Sequence, residues 1–90
     1  MPAHFLLLYA YPDDVLERRA PHREGHLELI QQWKEDGRLL LAGAIGDPVH
    51  GGALAFAVED ASEVDAFVDA DPYVQNGVVT SHRVEPWNVV

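Results

Sequence analysis

Apolar residues are spaced in three different ways along the chain, and each spacing predicts a different element. Residues 3–10 are apolar at nearly every position, with Phe5-Leu6-Leu7-Leu8-Tyr9-Ala10 unbroken. This predicts a strand covered on both faces. Tyr11-Pro12-Asp13-Asp14 reads as a turn, because Pro12 cannot donate to a ladder and the two acids bond locally to backbone. Val15 to Arg19 suits a short helical turn that Pro21 interrupts. From Pro21 to Asp36 the spacing is helical: at about 100° per residue, His22, His26, Leu29, Ile30 and Trp33 share one stripe. Glu24, Glu28, Gln31, Gln32 and Glu35 fall on the opposite side. Pro21 suits the first helical position, and Gly37 the position just past the end.

Arg38 to Gly46 reads as a second strand, followed by a loop at Asp47-Pro48-Val49-His50-Gly51-Gly52 on its Pro and Gly content. Ala53 to Glu59 alternates strictly, with Leu54, Phe56 and Val58 on one face and three alanines on the other. Ser62 to Ala70 is a second helix whose Ser62 and Asp65 suit a capping box. Asp71 precedes Pro72, which disfavours the α conformation, so that helix stops there. Pro72 then opens a short helical turn ending near Gly77, and Val78 to Trp87 is the last strand, its Pro86 pointing to a sheet edge.

The order β-α-β-β-α-β predicts an α+β, ferredoxin-like fold: one antiparallel sheet with both helices on one face. The other face, apolar on the first strand and small on the third, lacks a cover. A second copy of the chain supplies it most simply, so a homodimer with facing sheets is expected.

The 90 residues are enough for one domain, 1–90, with a thin core. A net charge of −9 repels phosphates and anionic lipid, so no nucleic acid and no membrane surface is expected as partner. The early apolar run is too short for a membrane span and lacks a basic region before it. The absence of cysteine excludes disulfides, thiolate catalysis and a Cys-based zinc site, and fits a cytoplasmic protein.

Two residues carry the candidate chemistry. His26 lies in the middle of a buried helix face, where an imidazole either bonds a backbone carbonyl as a core residue or serves as general acid or base. Asp71 is either a simple N-cap, worth ~1 kcal/mol, or the carboxylate that orients His26 and stabilises its charged form. The two roles are compatible, since a carboxylate has two oxygens. His22 and His26, four apart, also suit a metal, but a third ligand would have to come from His4, His50, His82 or a carboxylate. Tyr73, Tyr9, Tyr11, Trp33 and Trp87 are candidates for a pocket lining or for core. Arg23, beside the His26 stripe, can hold an anionic group as a fork or pair with a neighbouring Glu on the surface. No phosphate-binding loop, nucleophile elbow or dinucleotide fingerprint is present.

Arg23-Glu24-Gly25-His26-Leu27, Gly37-Arg38-Leu39-Leu40 with Ala42-Gly43, Asp69-Ala70-Asp71-Pro72-Tyr73 with Gly77-Val78, and Pro86-Trp87 together resemble the YciI-like (YCII-related) family, in order and over nearly the whole chain. Gly43-Ala44 stands where relatives often have Gly-Pro. The resemblance implies a dimeric α+β barrel and a His–Asp active-site pair, here His26 and Asp71. It also implies kinship with a cofactor-free loss of chloride from a chlorinated hydroxyhydroquinone.

The reading that combines residues and resemblance is a cofactor-independent enzyme, a lyase or isomerase. His26 acts as general acid/base oriented by Asp71, and Arg23, His22 and Tyr73 contact a small cyclic or phenolic molecule between the first long helix and the sheet. No metal or cofactor is expected in it. The alternatives are a non-catalytic binding or dimerisation module of the same fold, marked by a His26 and Asp71 out of hydrogen-bond reach, and a His-ligated metal protein.

Overall fold

The structure, a computed structural model, describes residues 2–90. Strand β1 (Ala3–Ala10) leads through helix α1 (Val15–Arg19) and a 3-10 turn (Ala20–His22) into helix α2 (Arg23–Glu35). Strands β2 (Leu39–Ile45) and β3 (Gly51–Val58) follow, then helix α3 (Ala61–Ala70), the single turn α4 (Pro72–Gln75) and strand β4 (Ser81–Pro86). The four strands form one antiparallel sheet in the order β2-β3-β1-β4. This is the ferredoxin-like α+β arrangement that the element order predicts.

Alternation decides which face the helices cover. Leu7 and Tyr9 of β1 and Leu54, Phe56 and Val58 of β3 are buried against Trp33 of α2 and Val64, Phe67 and Val68 of α3. Trp33, Phe56 and Phe67 meet edge-to-face with ring centroids 5.2–5.9 Å apart, the favoured geometry for aromatic rings. On the opposite face, Leu6 and Leu8 are only half-buried and Leu41 is 70% exposed. The expected double coverage of β1 is therefore not achieved within one chain.

Three local expectations are corrected. Gly51 and Gly52 are strand, not loop, paired with Ala10 and Tyr9. A Cβ on Gly51 would sit 2.7 Å from the Tyr9 carbonyl oxygen, and one on Gly52 would sit 2.9 Å from the Tyr11 hydroxyl. Glycine serves close approach here rather than a turn. Helix α3 is capped by Asp60, in extended backbone, whose carboxylate accepts the Ser62 N–H at 2.9 Å. Glu63 reaches back to the Glu59 N–H at 2.7 Å, so the capping is centred on Asp60, two residues ahead of Ser62. Strand β4 begins at Ser81 rather than Val78, because the Val78 and Val79 N–H groups both close on the Tyr73 carbonyl behind α4.

Candidate active site

The site is built on the start of α4. Asp71 has extended backbone (φ −76°, ψ 118°), as a residue before proline prefers, and its side chain turns back to accept the Tyr73 N–H at 3.0 Å. Behind it, Gly77 takes φ +71°, a conformation glycine adopts without strain, and lets Val78 N–H bond Tyr73 C=O at 2.9 Å. The short turn is thus closed at both ends, and the carboxylate at its start is rigidly placed.

Asp71 is completely buried, and every polar group around it donates. Its Oδ1 lies 2.8 Å from His26 Nδ1 and its Oδ2 accepts the Tyr9 hydroxyl at 2.7 Å. A carboxylate that also takes the Tyr73 N–H is acceptor-only, so His26 Nδ1–H donates to it, and in the neutral imidazole the lone pair is on Nε2. The His26 ring is stacked on Tyr73, centroids 3.7 Å apart and planes within 6°. One hydrogen bond and one stacked face fix the imidazole in position and in plane. No buried side-chain polar atom among the described residues is left without a partner.

His26 forms part of the wall of a cavity of about 440 Å³ between α2 and the β2 side of the sheet. Leu27 and Ile30 line the helix side, Ala42 and Gly43 the strand side, and Tyr11 and Tyr73 one end. The size and mostly apolar wall suit a small organic molecule. Arg23 lines the same cavity and donates to the Tyr73 hydroxyl at 3.4 Å.

Burial is the main cause that raises the Tyr9 phenol far above its usual range, and the Asp71 charge adds to it. Tyr11 is pushed up to about 12, first by burial and then by Tyr73 and Asp71, against a lowering pull from Arg19 and Arg23. Both phenols stay protonated near neutrality, and Tyr9 donates to Asp71. Their raised values mean stability that is intact below pH ~10, where the unfolded phenols ionise, and is lost as pH rises above it. In an alkaline titration followed by tyrosinate absorbance, Tyr9→Phe and Tyr11→Phe should each remove a late-ionising phenol. Ionisation of either residue at the ordinary value would contradict the site described.

Of the residues expected to form a site, the structure brings together His26, Asp71, Tyr73 and Arg23. His22 stands apart. It closes the 3-10 turn, is half-buried and lies outside the cavity lining. No three His, Cys, Asp or Glu side chains among the described residues converge as metal ligands, so the His22/His26 pair has no third partner. Trp33 is core, and Trp87 is 46% exposed away from the cavity. The Tyr9–Asp71 bond and the positions of Arg19 and Lys34 in the cavity wall were not anticipated. Arg23, Leu27, Ile30 and Lys34 do share a stripe at helical spacing, a signal hidden by its mixed polarity.

This fold and site define an α+β protein with a buried His–Asp pair at the wall of a small cavity. The chain belongs to the family of the YCII-related domain, whose family model matches residues 3–88. It is 36% identical over 86 residues to the protein YciI of Escherichia coli O6:H1, covering 86% of this chain and 88% of that protein, and matches YciI of Shigella flexneri equally well. Among solved structures it resembles 5-chloro-2-hydroxyhydroquinone dehydrochlorinase from Burkholderia phenoliruptrix AC1100, in complex with 2,5-dihydroxybenzoquinone. The TM-score is 0.80 at 24% identity, covering 94% of this chain and 93% of that one. At that identity the likeness bears on the fold.

Proposed function

We propose that the protein is a cofactor-independent acid/base enzyme acting on a small cyclic, phenolic or enolic molecule, by elimination or isomerisation. The observation that carries the reading is the 2.8 Å bond between His26 Nδ1 and Asp71 Oδ1, buried at the wall of a 440 Å³ cavity. Asp71 holds the tautomer that leaves Nε2 free as base, and its charge stabilises the imidazolium once Nε2 has taken a proton. In an isomerisation, Nε2 removes a C–H or O–H proton next to a carbonyl and returns it to another atom of the same conjugated system. In an elimination, the ring takes a proton at the halogen-bearing carbon as its keto tautomer; Nε2 removes a phenolic O–H proton, the O–H pair becomes a C=O, the ring double bond shifts to that carbon, and the halide leaves with its own bonding pair. The net change is loss of HX, with no redox partner. The dehydrochlorinase named above supports the choice of halogenated hydroxyhydroquinones as first substrates. Tyr73 stacks on the imidazole and Arg23 flanks the bound molecule.

We also propose that the enzyme is a homodimer, with the open sheet faces around Leu6, Leu8 and Leu41 packed together. No helix among the described residues is long and apolar enough to cross a membrane.

The test is halide release, with ultraviolet detection of ring products, from a panel of halogenated phenols and hydroxyhydroquinones. Wild-type protein should turn over at least one member, and His26→Ala should lose that activity while keeping the fold. Turnover that survives His26→Ala, or no turnover anywhere on the panel, counts against the proposal.

A further inference from the structure

The chain has six basic and fifteen acidic residues, yet three of the six, Arg19, Arg23 and Lys34, line the cavity beside His26, and no Asp or Glu does. The ion pairs sharpen the contrast. Arg18 is paired with Asp14 at 3.0 Å, and Arg38 with Asp36 at 2.7 Å. Among the described residues, none of the three cavity cations has a carboxylate within ion-pair distance. With acids so abundant, a concave wall that carries three cations and no carboxylate favours anions there. The two arginines of the group come from different segments: Arg19 ends α1 and Arg23 opens α2, with the 3-10 turn between them. Lys34 is eleven residues after Arg23, three helical turns along the same face. The Tyr11 hydroxyl is near enough to both arginines to feel their charge, and adds a neutral donor at the same end of the cavity.

We propose that this cavity selects its occupant as an anion: a single-ring carboxylate, phenolate or enolate held by Arg19, Arg23 and Lys34. The inference rests on the acid/base reading above and narrows its substrate class. A ring that is already anionic has had its most acidic proton removed in solution. His26 is then left to move the second, less acidic proton. The cations also hold electron density on the ring oxygens as that proton leaves.

The experiment compares 4-hydroxybenzoate with 4-hydroxybenzamide, isosteric molecules that differ in charge and carry no leaving group. Dissociation constants are measured by calorimetry or ligand-observed NMR on the full chain. The anion should bind at least tenfold more tightly than the amide. The preference should shrink severalfold in Arg19→Gln and in Lys34→Gln, and further in the double variant, which keeps only Arg23 of the three cations. It should persist in Arg83→Gln, on β4 and outside this cavity. It should also narrow as salt rises from about 0.01 M to about 1 M, where the screening length falls from roughly 30 Å to roughly 3 Å. An anion that binds no more tightly than its amide, failure of both to bind, or a preference untouched in the double variant overturns the proposal. Binding is read at equilibrium. Failure of the proton-transfer reading would show instead as absent turnover with the anion preference intact.

Discussion

Asp71→Ala is expected to destabilise the fold by at least about 3 kcal/mol, from a lost cap at ~1 kcal/mol and two buried donors left unpaired at about 1–3 kcal/mol each. The substitution removes a helix cap, and it strands the Tyr9 hydroxyl and the His26 imidazole in a site where each has no other acceptor. Asp71→Asn separates structure from chemistry. Its amide oxygen still accepts one donor, so the cap survives, and its volume is unchanged. It cannot be an acceptor at both atoms and carries no charge to balance an imidazolium. We expect this variant to stay folded and to lose about 10²–10⁴-fold in turnover, the scale of general acid/base catalysis and of a triad carboxylate. Chemical denaturation and turnover on the same samples check both halves. If the Asn variant loses stability and activity in proportion, Asp71 is a cap and nothing more.

A charge on the open sheet face is expected to abolish the proposed dimer. Leu41 is 70% exposed in the single chain, so Leu41→Glu should leave the protomer's stability within about 0.5 kcal/mol. In the dimer the new carboxylate would be buried without a partner, at about 3 kcal/mol. A two-fold axis repeats it, so the dissociation constant should rise by roughly a thousandfold or more. Sedimentation at micromolar concentration should give a dimer for the wild type and a folded monomer for the variant. A monomeric wild type, or a variant dimer of unchanged affinity, contradicts the facing-sheet arrangement.

The fold was legible because local signals agreed. Period-two alternation in Ala53–Glu59, the helical stripe through His26 and Trp33, and punctuation by Gly37, Pro72 and Gly77 all point to the same elements. Half of the site was legible for the same reason: a histidine on a buried stripe and an aspartate fixed before a proline are local facts. The other donors to Asp71 and the neighbours of Arg23 were not. Tyr9 reaches Asp71 across 62 positions, and nothing in an apolar strand marks which of its residues will meet a carboxylate. Arg19 and Lys34 each read as ordinary surface cations; only the tertiary packing brings the end of α1 and the far end of α2 around one space. Gly51 and Gly52 misled because their glycine requirement comes from the neighbouring strand and from Tyr11, not from a turn of their own. His22 sits in the 3-10 turn Ala20–His22 and outside the cavity lining, a placement that an α-helical reading from Pro21 does not show.

The central claim is that His26, held by Asp71, moves a proton on a small ring in this cavity. Deuterium incorporation tests it most directly. Hydroxyhydroquinones and hydroxyquinones are incubated with the protein in D₂O, and ring-proton exchange is followed by NMR. The account predicts enzyme-dependent exchange by the wild type, its loss in His26→Ala, and a drop of about 10²-fold or more in folded Asp71→Asn. No enzyme-dependent exchange by the wild type, or undiminished exchange in either variant, would contradict it.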